Sequence, residues 1–77
     1  MKLKIATWNI NSVRLRMPLV VKLLERERPD ILCLQECKSP VSEIPLDALK
    51  DLGYDYLVAR GQKGYNGVAT ISKIPIE

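Results

Sequence analysis

The sequence predicts an α/β architecture built in layers, and three observations carry the prediction. Between Leu3 and Leu34 the apolar residues first alternate, then recur at helical spacing, then run unbroken, which reads as strand, helix and buried strand. From Leu46 a short helical stretch closes at Gly53 and two further strand-like runs follow. Polar, glycine-rich or proline-rich turns separate all of these, so the order is β-α-β-α-β-β, the signature of sheet and helix layers stacked on one another.

Each element has a local cause. Leu3 to Trp8 sets Leu3, Ile5 and Thr7 against Lys4, Ala6 and Trp8, a strand's alternation. Asn9 to Ser12 is a polar turn. The next helix is expected to start near Pro18, since proline suits a first helical turn. Met17, Val20, Val21 and Leu24 would form its apolar face, and Pro29 would end it. Ile31 to Leu34 is continuously apolar, as in a strand covered on both faces. After a loop from Ser39 to Pro45, Leu46 to Leu52 forms a short helix stopped by Gly53. Tyr54 to Ala59 and Val68 to Ser72 are strands, joined by a glycine-rich connection from Arg60 to Gly67. One long helix and one short one barely cover a strand on both sides. The isolated chain is therefore expected to expose the outer faces of Ile31 to Leu34 and Val68 to Ile71, and to associate or need partner protein.

Bulk properties exclude several classes. At 77 residues there is room for one small domain, and domains of that size bury only about 60% of the surface their unfolded chains expose. Cys33 and Cys37 are the only cysteines and there is no histidine. Neither a structural zinc site nor a disulfide framework is supported, and reduced thiols in a cytoplasmic protein are the better reading. The first residues lack a signal peptide's apolar segment, and no stretch approaches the roughly 18 apolar residues of a membrane span. Twelve Lys and Arg against nine Asp and Glu give a net charge of +3, a modest bias towards polyanions. Arg14, Arg16, Lys38, Arg60 and Lys63 all stand beside turn-like segments.

Two polar clusters follow the first two strands: Trp8-Asn9-Ile10-Asn11-Ser12-Val13-Arg14 and Leu34-Gln35-Glu36-Cys37-Lys38. If those strands are parallel neighbours, both clusters meet at the carboxyl edge of the sheet, where open α/β sheets bind ligands. Glu36 is the central candidate. An acid directly after a buried strand is desolvated on one side and needs a cation or hydrogen bonds. Mg²⁺ takes one or two carboxylates, keeps several waters and accepts phosphate oxygens. Asn9 can ligate weakly or fix a water. The alternative is an acid paired with Lys38 and two turn asparagines, Asn9 and Asn11. Arg14, Lys38 and Lys63 can face phosphate, or simply solvate a surface. Gly61, Gly64 and Gly67 can admit a phosphodiester to the backbone, or shape a hairpin. Tyr65 can stack on a sugar or base, or cap a sheet edge. No nucleophile with a partner base is present.

Taken together, three blocks resemble the opening of the exodeoxyribonuclease III branch of AP endonucleases. They are Trp8 to Arg14, Pro29 to Lys38, and Gly61-Gln62-Lys63-Gly64-Tyr65-Asn66-Gly67-Val68-Ala69. The blocks stand in family order and spacing, and the likeness covers essentially the whole chain. It implies a DNase I-like fold, a four-layer α/β sandwich of two packed sheets flanked by helices. On that reading, residues 1–77 are the incomplete N-terminal part of a single endonuclease/exonuclease/phosphatase domain. The resemblance also implies a monomeric enzyme that cleaves phosphodiesters at abasic sites and 3′ ends of duplex DNA with Mg²⁺ or Mn²⁺. Carried over residue by residue, Glu36 matches the metal-binding glutamate and Asn9 the active-site asparagine beside the metal. Asn11, Arg14, Lys38 and the Lys63-Gly64-Tyr65 turn match segments on the DNA side. Ser12 replaces a common Gly, and Cys37 a common Thr. The family's active-site tyrosine, Asp-x-Asn pair and Asp-His pair would lie beyond Glu77. Two other readings compete: a phosphatase or phosphodiesterase of the same superfamily, and an inactive truncated or split product.

Overall fold

A computed structural model of the chain describes residues 2–39, 44–62 and 65–76. Its elements are β1 (Ile5–Asn9), α1 (Val13–Glu27), β2 (Ile31–Gln35), α2 (Leu46–Asp51), β3 (Tyr56–Gln62) and β4 (Tyr65–Ser72). The strands form one sheet in the order β1-β2-β4-β3. β1 runs parallel to β2, with α1 as the crossover that a parallel pair requires. β4 runs antiparallel to both β2 and β3. The expected element order and the parallel first pair are both present, and so both polar clusters reach one edge of the sheet.

Register divides the sheet into two faces. Ala6 and Trp8, Leu32 and Leu34, Ala69 and Ile71, and Leu57 and Ala59 share one of them. That face packs into a single core with Val13, Met17, Val20 and Leu24 of α1 and Leu49 of α2. Fully burying one such aliphatic side chain is worth about 1.5–3 kcal/mol, and this core is the main force holding the sheet to its helices. The opposite face is open: Ile5 is 61% exposed, Val68 55% and Val58 52%. This is the outer face that the sequence leads us to expect without cover, since one long and one short helix do not reach both sides of β2. Leu32 and Leu34 are buried, while Ile31 and Cys33 are only half-buried. Both helices lie against the same face, and that is the physical reason.

Several boundaries differ from the sequence expectation, most by one or two residues and some by more. Helix α1 begins at Val13, five residues before Pro18, which lies inside it. The start is fixed from outside the helix. The N–H groups of Ser12 and Val13 donate to the carbonyls of Glu36 and Cys37 at 2.8 and 2.9 Å, satisfying amides that a helix start otherwise leaves unpaired. Pro18 cannot donate the bond of its own turn, and it sits on the exposed side where water reaches the backbone. The helix stops at Arg28, which adopts a left-handed conformation (φ 47°) and returns its N–H to the Leu24 carbonyl. Strands β3 and β4 run further into the glycine-rich connection than alternation indicated, with a register shift between Arg60 and Gln62. Residues 63–64 lie outside the described residues. Among those described, no helix is long and apolar enough to cross a membrane.

Tyr54 ties the far end of the sheet together. Its ring is fully buried and its hydroxyl donates to the Pro29 carbonyl at 2.6 Å. The Arg28 guanidinium and the Lys73 ammonium lie 5.5 and 5.6 Å from the ring centre, within cation–π range. Burial pushes the phenol pKa up, opposed by Arg28 and reinforced by Asp30. A raised folded-state pKa gives stability that is whole below the unfolded value of about 10 and is lost as pH climbs through the folded one. Tyr54→Phe is therefore expected to cost about 1–3 kcal/mol at neutral pH, because a buried carbonyl loses its donor. The same variant should lose less additional stability than the parent when melts are repeated at about pH 10.5, where the phenol ionises in the unfolded chain but is held protonated in the folded one. Equal alkaline losses in both would refute this assignment.

Candidate metal centre at the strand ends

The carboxyl ends of β1 and β2 lie side by side, Asn9 opposite Gln35 in the register. One residue further along the second strand, Glu36 meets Asn9: the Asn9 amide nitrogen donates to Glu36 Oε2 at 2.5 Å. A carboxylate only accepts, so the amide turns its nitrogen towards it and leaves its own oxygen directed elsewhere. Next to this pair, the Lys38 ammonium donates to Asn11 Oδ1 at 2.5 Å. The two polar clusters read from the sequence are thus interleaved, each asparagine of the first holding a charged residue of the second. The alternative Glu36–Lys38 ion pair is not formed.

Backbone geometry explains how two pairs of side chains 27 residues apart converge. Among non-glycine residues with positive φ, all but Arg28 belong to this region: Asn11 (50°), Ser12 (85°), Glu36 (54°), Lys38 (55°) and Asn66 (49°). Each such residue costs of order 1–3 kcal/mol and persists only where the surroundings over-determine it. Here they do. Ile10 N–H donates to Gln35 O, Ser12 and Val13 donate to Glu36 and Cys37, and Cys37 and Lys38 donate to Gly67 and Asn66, at 2.6–3.0 Å. The segment leaving β2 is pinned on one side by the start of α1 and on the other by β4. Cys37, between the two charged residues, is fully buried, and burial raises its thiol pKa. It serves as the anchor that points its neighbours outward.

Glu36 itself is exposed and Lys38 half-buried. The expected one-sided desolvation of Glu36 is therefore absent, and its interactions are those of a solvent-facing carboxylate at an edge. Arg14 lies in the first turn of α1 on the exposed side. Lys63 and Gly64 fall outside the described residues. Of Tyr65 only the backbone, at the start of β4, is described. Gly61 and Gly67 do bring backbones together, but the partner is this chain's own segment after β2. Sequence reading placed Asn66 and Ser12 inside motif blocks but gave neither a left-handed backbone role. The signal for Asn66 was available, because Asn-Gly is the dipeptide that most favours left-handed turns.

The donors fit a Mg²⁺-type ion in part. Such an ion needs one or two carboxylates and fills its remaining positions with water and phosphate oxygens. Glu36 supplies one carboxylate and Asn9 a neutral oxygen. Among the described residues there is no group of three or more His, Cys, Asp or Glu that could hold a metal. Softer ions that require a closed set of nitrogen or sulfur ligands are not served by this arrangement.

A family profile, that of the Endonuclease/Exonuclease/phosphatase family, matches residues 6–77. The chain belongs to this family. It is 35% identical over 71 residues to exodeoxyribonuclease III of Haemophilus influenzae, an alignment covering 92% of this chain and 26% of that protein. Among solved structures it is similar to an AP endonuclease from Archaeoglobus fulgidus, with a TM-score of 0.86 and 44% identity over 94% of this chain and 28% of that one. A 3′ phosphatase from Neisseria bound to a product DNA hairpin gives a TM-score of 0.86 and 47% identity, again over 94% and 28%. The fold shared with these neighbours is DNase I-like. It spans roughly a quarter of the length of these relatives. The sheet and two helices described above are the corresponding part of that larger fold.

Proposed function

We propose that this family member is the metal-facing N-terminal portion of a DNA repair nuclease, a Mg²⁺-dependent phosphodiesterase in which Mn²⁺ can substitute. Its substrate would be duplex DNA carrying abasic sites or 3′ ends. The observation that carries the reading is the Asn9–Glu36 pair at the carboxyl ends of two adjacent parallel strands. Likeness to exodeoxyribonuclease III and to a 3′ phosphatase bound to a DNA hairpin supports the substrate class.

In this reading Glu36 holds the ion and Asn9 orients the carboxylate while offering its own oxygen. When bound, the ion supplies charge stabilisation for the phosphoryl oxygens and the leaving oxygen. The remaining work belongs to the chain's own cations. Lys38, steadied by Asn11, presents a point charge beside the carboxylate, and Arg14 presents a fork that suits phosphate. By the family resemblance, Lys63, Gly64 and Tyr65 would add contacts to DNA. The sequence has no histidine, and the described residues hold no group of three or more acids, histidines or cysteines that could hold a metal, so in this reading the groups that activate and aim a water are not supplied here. By itself it is proposed to bind without cutting.

The test is incision of a duplex containing one synthetic abasic site, with Mg²⁺, comparing the chain with its Glu36→Ala variant. The expected result is salt-sensitive binding, as counterion release requires, and no incision by either protein. Incision that disappears with chelator or with Glu36→Ala would keep the metal and overturn the claim that the chain alone is inactive. Incision that survives both would overturn the role of Glu36.

A further inference from the structure

We propose that Gly61 and Gly67 are positioning residues for the Glu36 carboxylate, acting through the backbone of residues 36–39; this rests on the reading of Glu36 and Asn9 as a metal centre. Neither glycine touches the carboxylate. What they touch is the segment that carries it. A Cβ built on Gly61 would lie 2.5 Å from the Ser39 carbonyl oxygen, closer than real Cβ atoms come to backbone. A Cβ on Gly67 would meet Gly61 Cα at 3.3 Å and Lys38 N at 3.4 Å, and the residue holds φ +101°, which side chains rarely adopt. The same stretch is where Cys37 and Lys38 donate to the carbonyls of Gly67 and Asn66. The β3–β4 ladder thus presents a bare patch of backbone, and the segment after β2 lies flat upon it.

Without that close approach the two donated bonds cannot both form, and the left-handed conformations of Glu36 and Lys38 lose the contacts that enforce them. A methyl group at position 61 has only backbone to push against, so the Ser39 carbonyl must retreat. Three residues earlier in the chain, Glu36 shifts relative to Asn9. Displacements of about 1 Å in such sites can cost about 100-fold in function. Neighbouring glycines in a hairpin are ordinarily explained by the turn itself. Here the close contacts run across the sheet to a different segment, and a turn does not require that.

Gly53 provides the control. Its φ is +93°, equally unfavourable to a side chain, yet an added Cβ would meet only the end of the Arg28 side chain at 3.7 Å. Gly53→Ala strains the backbone without displacing residues 36–39. The experiment uses the full chain and two readouts: the ¹H–¹⁵N signals of the Asn9 side-chain amide without metal, and Mn²⁺ affinity by electron paramagnetic resonance. Gly61→Ala and Gly67→Ala are expected to move the Asn9 amide signals and to weaken Mn²⁺ by about 10-fold or more, the scale of losing an orienting partner. Gly53→Ala is expected to lower the melting temperature and leave both readouts in place. Unchanged amide signals and affinity in the first two variants would overturn the proposal, as would equal changes in all three. If Gly61→Ala does not fold, Gly67→Ala decides, since its added contacts are the milder ones. If the parent chain binds no Mn²⁺, the metal reading fails and the amide signals alone decide whether the glycines position Glu36.

Discussion

Glu36→Ala is expected to lower Mn²⁺ affinity by more than about 100-fold, beyond the 10–100-fold that loss of an outer partner costs. The reason is the shortage of charge at the strand ends. Asn9 and Asn11 are neutral and Lys38 is repulsive, so of these four side chains Glu36 alone is anionic. Removing it leaves one amide oxygen, which cannot displace water from a strongly hydrated ion. Asn9→Ala keeps the charge and loses the partner that fixes it, so the expected loss is about 10–100-fold. Glu36→Gln separates charge from shape. A glutamine can still accept from the Asn9 amide through its own oxygen, so the local fold is kept while the negative charge is gone. Mn²⁺ titration of these three variants alongside the parent checks the order. Near-parental affinity in Glu36→Gln would show that the charge is not what binds, and the metal assignment would fall.

Much of this centre was legible in the sequence because its logic is local. A polar cluster directly after an alternating strand, and a second after an apolar run, are placed together by any parallel pairing of those strands. β1 and β2 are so paired. Helix α1 shows where local logic stops. Proline suits a first turn, but the actual start is set by carbonyls of Glu36 and Cys37, more than twenty residues away in sequence. The expectation that this chain leaves the outer face of β2 and β4 without cover is met, because both helices lie on the other face. An apolar run reports that both faces avoid water in the complete setting, not which face this chain's own helices occupy. Ile31 and Cys33 look identical in kind to Leu32 and Leu34, yet only the latter meet α1 and α2. The glycines were noticed for close approach, to a phosphodiester or within a hairpin, and the structure adds a partner inside the chain. That partner, the Ser39 carbonyl, is identified only by the register of β4 between β2 and β3.

Leu24→Ala should unfold a substantial part of the population, or all of it. Leu24 lies in the last turns of α1 with no exposed surface. Leu-to-Ala replacements in such positions cost about 2–5 kcal/mol, through lost transfer energy and the cavity left behind. A domain of this size has only about 4–12 kcal/mol in total, and this one leaves one face of its sheet to water. The effect should spread to the strand ends. Helix α1 is latched to the Glu36 segment at its start and held to the sheet along Val13, Met17, Val20 and Leu24, so loosening its far end weakens the latch as well. Leu15→Ala is the matched comparison: the same chemistry on the same helix, at a residue 73% exposed, where substitutions stay within about 0.5 kcal/mol. Urea melts followed by circular dichroism separate the two. A Leu24→Ala midpoint within error of Leu15→Ala would mean that α1 does not hold the fold, and the helix start could not then be what pins Glu36.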